Sequence, residues 1–422
     1  MSATDTAPPS SVSWWRALGP GFVVAATGVG AGDLIAAAVA GQKFGLAVLW
    51  VVALGAVFKW VLNEGISRWQ LATGTTLIEG WITRMPGWVG IYFFVFLLIW
   101  GLLVAAALSA ACGVAARALF HTLPLPTATW SALHAVTGAV LVLIGGYAGF
   151  ERLMKALMAV MFVCVVLCAL LMRVPAAEYW QAWTQPGVPA GSAKFLLGVM
   201  GGVGGSVTLL CYGYWIREKG WRGAVMHGRS MLDLGAAYAL TGIFGLAVIV
   251  IAAEVQPADA SGNALVLALA GQLEVILGPA GRWFFLVGFW CAVFTSLLGV
   301  WQGVPYLFAD CVAVWRRQRG VIKATPADLT KTTPYRIFLA YLTFPPLLLL
   351  LLGRPLTLVI LYAVAGAFFM PFLASMLLVM NNRREWVGEL KNRPIVNALL
   401  VLSLVLFGAL FVVELAEQVT RW

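Results

Sequence analysis

Gly28-Val29-Gly30-Ala31-Gly32-Asp33 and Gly201-Gly202-Val203-Gly204-Gly205-Ser206 are the two stretches on which the fold is read. Each falls inside an apolar run long enough to cross a bilayer as a helix, the first near 18–42 and the second near 193–216. A glycine in a helix interior costs up to about 1 kcal/mol relative to alanine. A cluster of them in mid-run therefore predicts that the helix unwinds there. Small residues also let helices pack closely in lipid, which would explain one cluster. Two clusters at matching places in two sets of five runs point instead to an inverted-repeat transporter with a binding site at mid-membrane.

Outward from these stretches the chain reads as membrane throughout. Of 422 residues, 62% are hydrophobic and 10% charged, against roughly 25% charged in a soluble domain. The apolar runs are unbroken and do not alternate, so they are helices rather than barrel strands. Eleven are predicted, near 18–42, 45–66, 90–117, 128–147, 150–172, 193–216, 231–253, 281–307, 335–352, 356–380 and 394–415. The longest loops fall near 173–192, 254–280 and 308–334, and none holds a soluble domain.

Charge sets the expected orientation. With the N-terminus inside, only Lys43, Arg117, Arg173, Lys194, Arg282, Arg354 and Arg421 lie outside, leaving 20 of the 27 basic residues in cytoplasmic segments. Positive residues favour that side. An inner-membrane protein with a cytoplasmic N-terminus and an external C-terminus is the expectation. The net charge of +10 follows from this topology and does not indicate nucleic acid. Residues 1–17 read as a polar cytoplasmic tail without a cleavable signal. Trp14, Trp15, Trp88, Trp180, Trp183 and Trp386 flank spans, as interfacial rings do. All six cysteines fall in or beside apolar runs and read as small hydrophobes without disulfides.

Asp33 is the candidate of most interest. A carboxylate at mid-bilayer costs roughly 2.5–3.5 kcal/mol on insertion scales and is by default a functional site. It reads equally as a cap on the half-helix that begins at Leu34. Gly30, Gly32 and Ser206 would give room or carbonyls around it, and Thr208, Leu209, Cys211 and Tyr212 would line the second break. Elsewhere charges read as structural. Glu64 and Arg68, and Arg229 and Asp233, are spaced four apart as helical pairs, Lys59 would snorkel to the interface, and Glu151, Arg152 and Lys155 open the fifth span. No P-loop, HExxH or GxSxG occurs, so nothing supports an enzyme, and no cofactor is expected.

The order of further motifs resembles the Nramp family of divalent-metal transporters along nearly the whole chain. Gly19-Pro20-Gly21-Phe22 opens the first span, and Leu71-Ala72-Thr73-Gly74 with Leu77 and Glu79 follows the second. Gln302-Gly303 closes the eighth, and Met370-Pro371-Phe372 lies in the tenth. Asn382-Arg383-Arg384, Gly388-Glu389 and Asn392-Arg393-Pro394 link into the eleventh. The resemblance implies an all-α leucine-transporter-type fold of two inverted five-helix repeats, 18–172 and 193–380, with 394–415 appended.

The resemblance does not extend to the family's metal motifs. Where the family has Asp-Pro-Gly-Asn, this chain has Gly30-Ala31-Gly32-Asp33, and the family's Met-Pro-His falls on Leu209-Leu210-Cys211. A glutamine of the tenth span is Ala363 here, and the third span has no Asp or Glu for a proton path. Losing the thioether argues against Mn²⁺ and Fe²⁺. A family branch that carries magnesium shares these losses. The expectation is a secondary transporter of an Mg²⁺-like or partly hydrated cation, with Asp33 as metal ligand and no proton coupling through the usual residues. The alternative is a small organic or monovalent solute on the same fold. In either case the partners are a small substrate and the lipid bilayer.

Overall fold

A computed structural model describes residues 19–172, 174–202, 205–255, 263–350 and 355–420. Among the described residues, side-chain detail is also lacking at Ala31, Asp33, Ala193, Lys194, Leu197, Gly201, Gly202 and Asn263, and over most of 355–368 and 410–420. The described residues are helical without strands. In order the helices are α1 (Pro20–Gly28), α2 (Ala31–Phe44), α3 (Leu49–Thr73), α4 (Leu77–Arg84), α5 (Gly87–Leu119), α6 (Thr127–Leu171), α7 (Ala176–Thr184) and α8 (Ala193–Gly202). Then follow α9 (Cys211–Glu218), α10 (His227–Val255), α11 (Asn263–Gln318), α12 (Thr333–Thr343), α13 (Pro345–Leu350), α14 (Pro355–Met380), α15 (Arg384–Val387) and α16 (Pro394–Thr420).

Each of the eleven predicted windows holds helix. Among the described residues, five continuous stretches are long and apolar enough to cross a membrane by themselves, Gly87–Leu119 and Ala224–Val255 included. The fourth and fifth spans run together as α6, which bends where Gly146 takes φ 55°. The protein is thus a polytopic all-α membrane protein with its first and sixth spans broken. The extent of the longest loops needs correcting: 173–192 holds α7, and α11 runs on to Gln318 within 308–334. The loop placed at 254–280 is helical from Asn263, and it joins the eighth span through a kink at Gly278. A run with Glu274 and Arg282 at its ends reads as loop by hydropathy, while its buried face of Leu265, Val266, Leu269 and Leu273 gives it helical period.

The two breaks lie at the centre. α1 packs against α10, α11 and α6, and α2 against α10 and α8. α1 begins at Pro20, where a missing N–H costs nothing. No side chain of its own caps it. Asp233 of α10 does so from outside, accepting from the N–H of Gly19 at 3.0 Å and of Gly21 at 2.6 Å. Asp233 was expected to pair with Arg229. Its carboxylate serves the first half-helix, and the Arg229 guanidinium lies 5.0 Å from the Trp221 ring.

The family-like link before α16 is a knot of asparagines. Asn397 Nδ2 donates to Asn382 Oδ1 at 2.8 Å, and Asn382 and Asn392 each donate to Asn397 Oδ1. Asn381 Nδ2 reaches the Gly65 carbonyl of α3 at 2.9 Å. Similarly, Thr76 caps α4 by accepting from Glu79 N–H, and donates to Asp310 of α11 at 2.5 Å. Both motifs tie spans together and touch no cavity at the breaks.

Close approach of α11 to α1 depends on Gly299, where a Cβ would overlap the Thr27 side chain. Gly299→Ala is expected to lower the unfolding midpoint of the purified protein by forcing α1 and α11 apart, at a cost of about 1–3 kcal/mol. Gly235→Ala, on α10 with open space around it, is the control and should leave the midpoint unchanged or slightly raised. Equal midpoints for the two variants would refute the close packing.

Candidate functional site

α1 ends at Gly28 because Val29 leaves the helical region, with φ −86° and ψ 84°. Helix resumes at Ala31. The sixth span breaks between α8 and a short 3₁₀ turn, Val207–Leu210, that leads into α9. Gly205 sits at this break with φ 83°, a left-handed conformation that glycine adopts without strain. The two breaks face each other across a small enclosed cavity of about 20 Å³. Thr27, Gly28, Gly30, Gly32, Gly205 and Thr208 line it on the break side, with Ser296 of α11 beside them. Trp100, Val104, Leu108 and Val300 close it with apolar surface. A water molecule just fits such a volume.

Unwinding frees carbonyls that water cannot reach, and side chains of other spans supply donors. Ser296 Oγ donates to the Thr27 carbonyl at 2.8 Å. Lys59 of α3 donates its ammonium to the Gly205 carbonyl. Lys59 was expected to snorkel. It is fully buried, with Nζ 5.6 Å from the Phe407 ring centre. Its four-carbon stem gives it the reach for either course, and the unsatisfied carbonyl decides between them.

Of the residues predicted for the site, Gly30, Gly32 and Thr208 meet at this cavity. Ser206 is buried beside it, and its hydroxyl has no protein partner among the described residues. Leu209, Cys211 and Tyr212 are buried outside the lining. Cys211 packs where Gly303 of α11 leaves room, and the Tyr212 hydroxyl donates to Asp233 at 3.0 Å. The Asp33 backbone lies in the first turn of α2, and its side chain falls outside the described residues, as does that of Ala363. Among the described residues no group of three or more His, Cys, Asp or Glu is arranged to hold a metal.

Sequence reading missed Ser296 and the role of Lys59. It also missed a second cavity of about 380 Å³, lined by Tyr147, Glu218, Gln302, Tyr306, Tyr335 and Arg336. Ser296 and Gln302 are six residues apart on α11, about 9 Å along the axis, so this polar cavity lies below the breaks towards the 319–332 loop. Tyr306 donates to Glu218 at 2.7 Å, and Gln302 accepts from Trp215 Nε1. Asp328 of that loop is held below the usual carboxylate range by the Thr330 hydroxyl, with help from Lys331, so it adds a full negative charge at neutral pH.

Comparison with known proteins places the chain. The sequence model of the family described as natural resistance-associated macrophage protein-like (Nramp) matches residues 21–417. An uncharacterized protein of Pasteurella multocida is 22% identical over 283 residues, covering 64% of each chain. The divalent metal cation transporter MntH of Xanthomonas campestris is 30% identical over 172 residues, covering 38% of this chain and 37% of that one. The chain thus matches less than two thirds of the length of these curated relatives. In fold, a manganese transporter of Eremococcus coleocola superposes with a TM-score of 0.74 at 15% identity, over 99% of this chain and 90% of that one. A Na⁺-coupled sialic acid symporter superposes with a TM-score of 0.56 at 12% identity, over 94% and 89%.

Lys59→Gln should leave the Gly205 carbonyl without its charged donor and lower the thermal midpoint, at a cost of about 1.5–3 kcal/mol. Lys59→Arg keeps the charge and is expected to recover part of the loss. A Lys59→Gln protein as stable as the parent would show that the break does not need the ammonium.

Proposed function

We propose that this chain, which belongs to the natural resistance-associated macrophage protein-like (Nramp) family, is a secondary transporter that carries a divalent cation through the cavity between its two broken helices. The observation that supports this most is the meeting of both breaks at one enclosed, glycine-lined cavity within a chain matched by the family over 21–417. Transporters hold their solutes at such discontinuities, where backbone carbonyls and half-helix ends can bind charge. Two inverted repeats, 18–172 and 193–380, with 394–415 appended, would rock about this point. In the inner membrane the N-terminus would be cytoplasmic and the C-terminus outside, and the chain would do no enzymatic chemistry.

Selectivity is the finer part of the proposal. Asp33 would be the carboxylate ligand, with Gly30, Gly32 and Thr208 giving space or backbone oxygens. The chain has no thioether at Leu209-Leu210-Cys211, so a hard, oxygen-liganded ion such as Mg²⁺ suits it better than Mn²⁺ or Fe²⁺. With one water-sized space, the cavity would have to widen for an ion that keeps its waters. The third span offers no Asp or Glu, so coupling to protons would not follow the family's usual route. Lys59 favours a second reading. A fixed ammonium at the sixth-span break opposes a divalent ion and suits a small solute that carries a carboxylate.

Uptake into liposomes with the purified protein separates these readings. Mg²⁺ uptake above Mn²⁺ uptake is expected, falling at least about tenfold in Asp33→Asn because the only carboxylate of the breaks loses its charge. Failure of both ions, in protein shown to be folded, would reject the divalent-cation reading and favour the small-solute one.

A further inference from the structure

We propose that the cleft between α3, α10 and the start of α16 is a binding site for an anionic phospholipid, independent of the transport reading above. The cleft has a volume of about 570 Å³ and carries two chemistries along its length. One end is apolar, walled by Trp60, Met231, Val396 and Leu399. It is continuous with the outer face of α16, where Ile395, Val401, Leu402 and Val405 are all well exposed. In a membrane-spanning helix that face meets acyl chains. The other end is polar and basic, formed by Arg68, His227, Lys391 and Arg393.

The local ion pairs show which of these charges remain for a ligand. Glu64 accepts from Arg68 at 2.6 Å and from His227 at 2.7 Å, so its charge is spent within the protein. Arg68 is largely spent as well, because its Nη1 group holds the carbonyls of Leu390 and Lys391. That contact fixes the 388–393 segment against α3 and so shapes the rim. Among the described residues no carboxylate pairs with Lys391 or Arg393. Glu389 also lines the cleft, leaving one net positive charge on this rim. The start of α16 adds to it. Pro394 contributes no N–H, but the free N–H groups of the next residues and the helix dipole favour an anion at this point.

A phosphodiester fits between Lys391, Arg393 and the α16 start, and its acyl chain fits the trough from Trp60 to Leu399. A free phosphate would use the rim alone and leave the apolar trough empty. Basic pockets between spans at a membrane surface bind anionic headgroups in this way.

The test uses the full-length purified protein with phosphatidylglycerol, phosphatidylcholine or inorganic phosphate added. Native mass spectrometry reads retained lipid, and thermal unfolding reads stabilisation. Phosphatidylglycerol should be retained about tenfold over phosphatidylcholine and should raise the midpoint. The Lys391→Gln/Arg393→Gln protein should lose that preference while keeping its midpoint in phosphatidylcholine. If the double variant does not fold, Lys391→Gln alone should reduce the preference. Equal retention of the two lipids by the parent protein would overturn the proposal, as would an undiminished preference in the variants. Stabilisation by inorganic phosphate equal to that by phosphatidylglycerol would also overturn it, because the site would then be one for a free anion.

Discussion

A polypeptide in a bilayer must satisfy every backbone polar group without water, and this constraint governs the centre of the protein. Regular helices meet it automatically. The first and sixth spans do not, because each unwinds in its middle. The structure answers each break with a donor from another span. Ser296 of α11 takes the Thr27 carbonyl, and Lys59 of α3 takes that of Gly205. Asp233 of α10 performs the converse service, accepting from the free N–H groups at the start of α1. The broken helices are thereby held by α3, α10 and α11, and the close contacts of α1 with α10 and α11 follow from that.

Buried carboxylates are placed by the same rule. Glu151 takes two lysines, Lys155 and Lys219, each at 2.7 Å. Lys219 follows directly on α9, so this pair fastens the second half of the broken sixth span to the fifth span. Asp310 accepts from Thr76 and from Tyr214 of α9, which fastens the same half-span to the start of α4. A half-helix held at its end by carboxylates of neighbouring spans has a fixed position below the break. Both anchors lie on the side where the polar cavity around Gln302 and Tyr306 opens. Any movement that widened this cavity would have to break or carry these contacts with it.

The fold was legible in the sequence because hydropathy and glycine act locally. Apolar runs gave the eleven spans, and two glycine clusters gave the two breaks, since in both cases the signal lies in the residues that adopt the structure. The site was legible only in part. Gly30, Gly32 and Thr208 sit on the breaks themselves and were found. Ser296 and Lys59 lie on spans whose own pattern is unbroken, and the carbonyls that recruit them belong to residues 269 and 146 positions away. Their role is set by tertiary contact, which no window along the chain contains. The capping role of Asp233 was missed for the same reason. Its nearest cation in sequence is four residues away, but the N–H groups it serves are more than two hundred residues away.

The absence of a carboxylate at position 30 and the presence of Ser296 belong together. A Cβ added at Gly30 would come within 2.9 Å of Ser296 Oγ. The serine hydroxyl therefore fills the space that a side chain at position 30 would need, and it occupies the Thr27 carbonyl from there. By the resemblance drawn from the motifs, position 30 is where the family's metal-binding aspartate falls. A neutral hydroxyl thus stands in the room that such an aspartate would need. On the opposite break an ammonium has taken another carbonyl. The two donors lower the negative character of the breaks from both sides, and Asp33 is the one carboxylate of the break sequences.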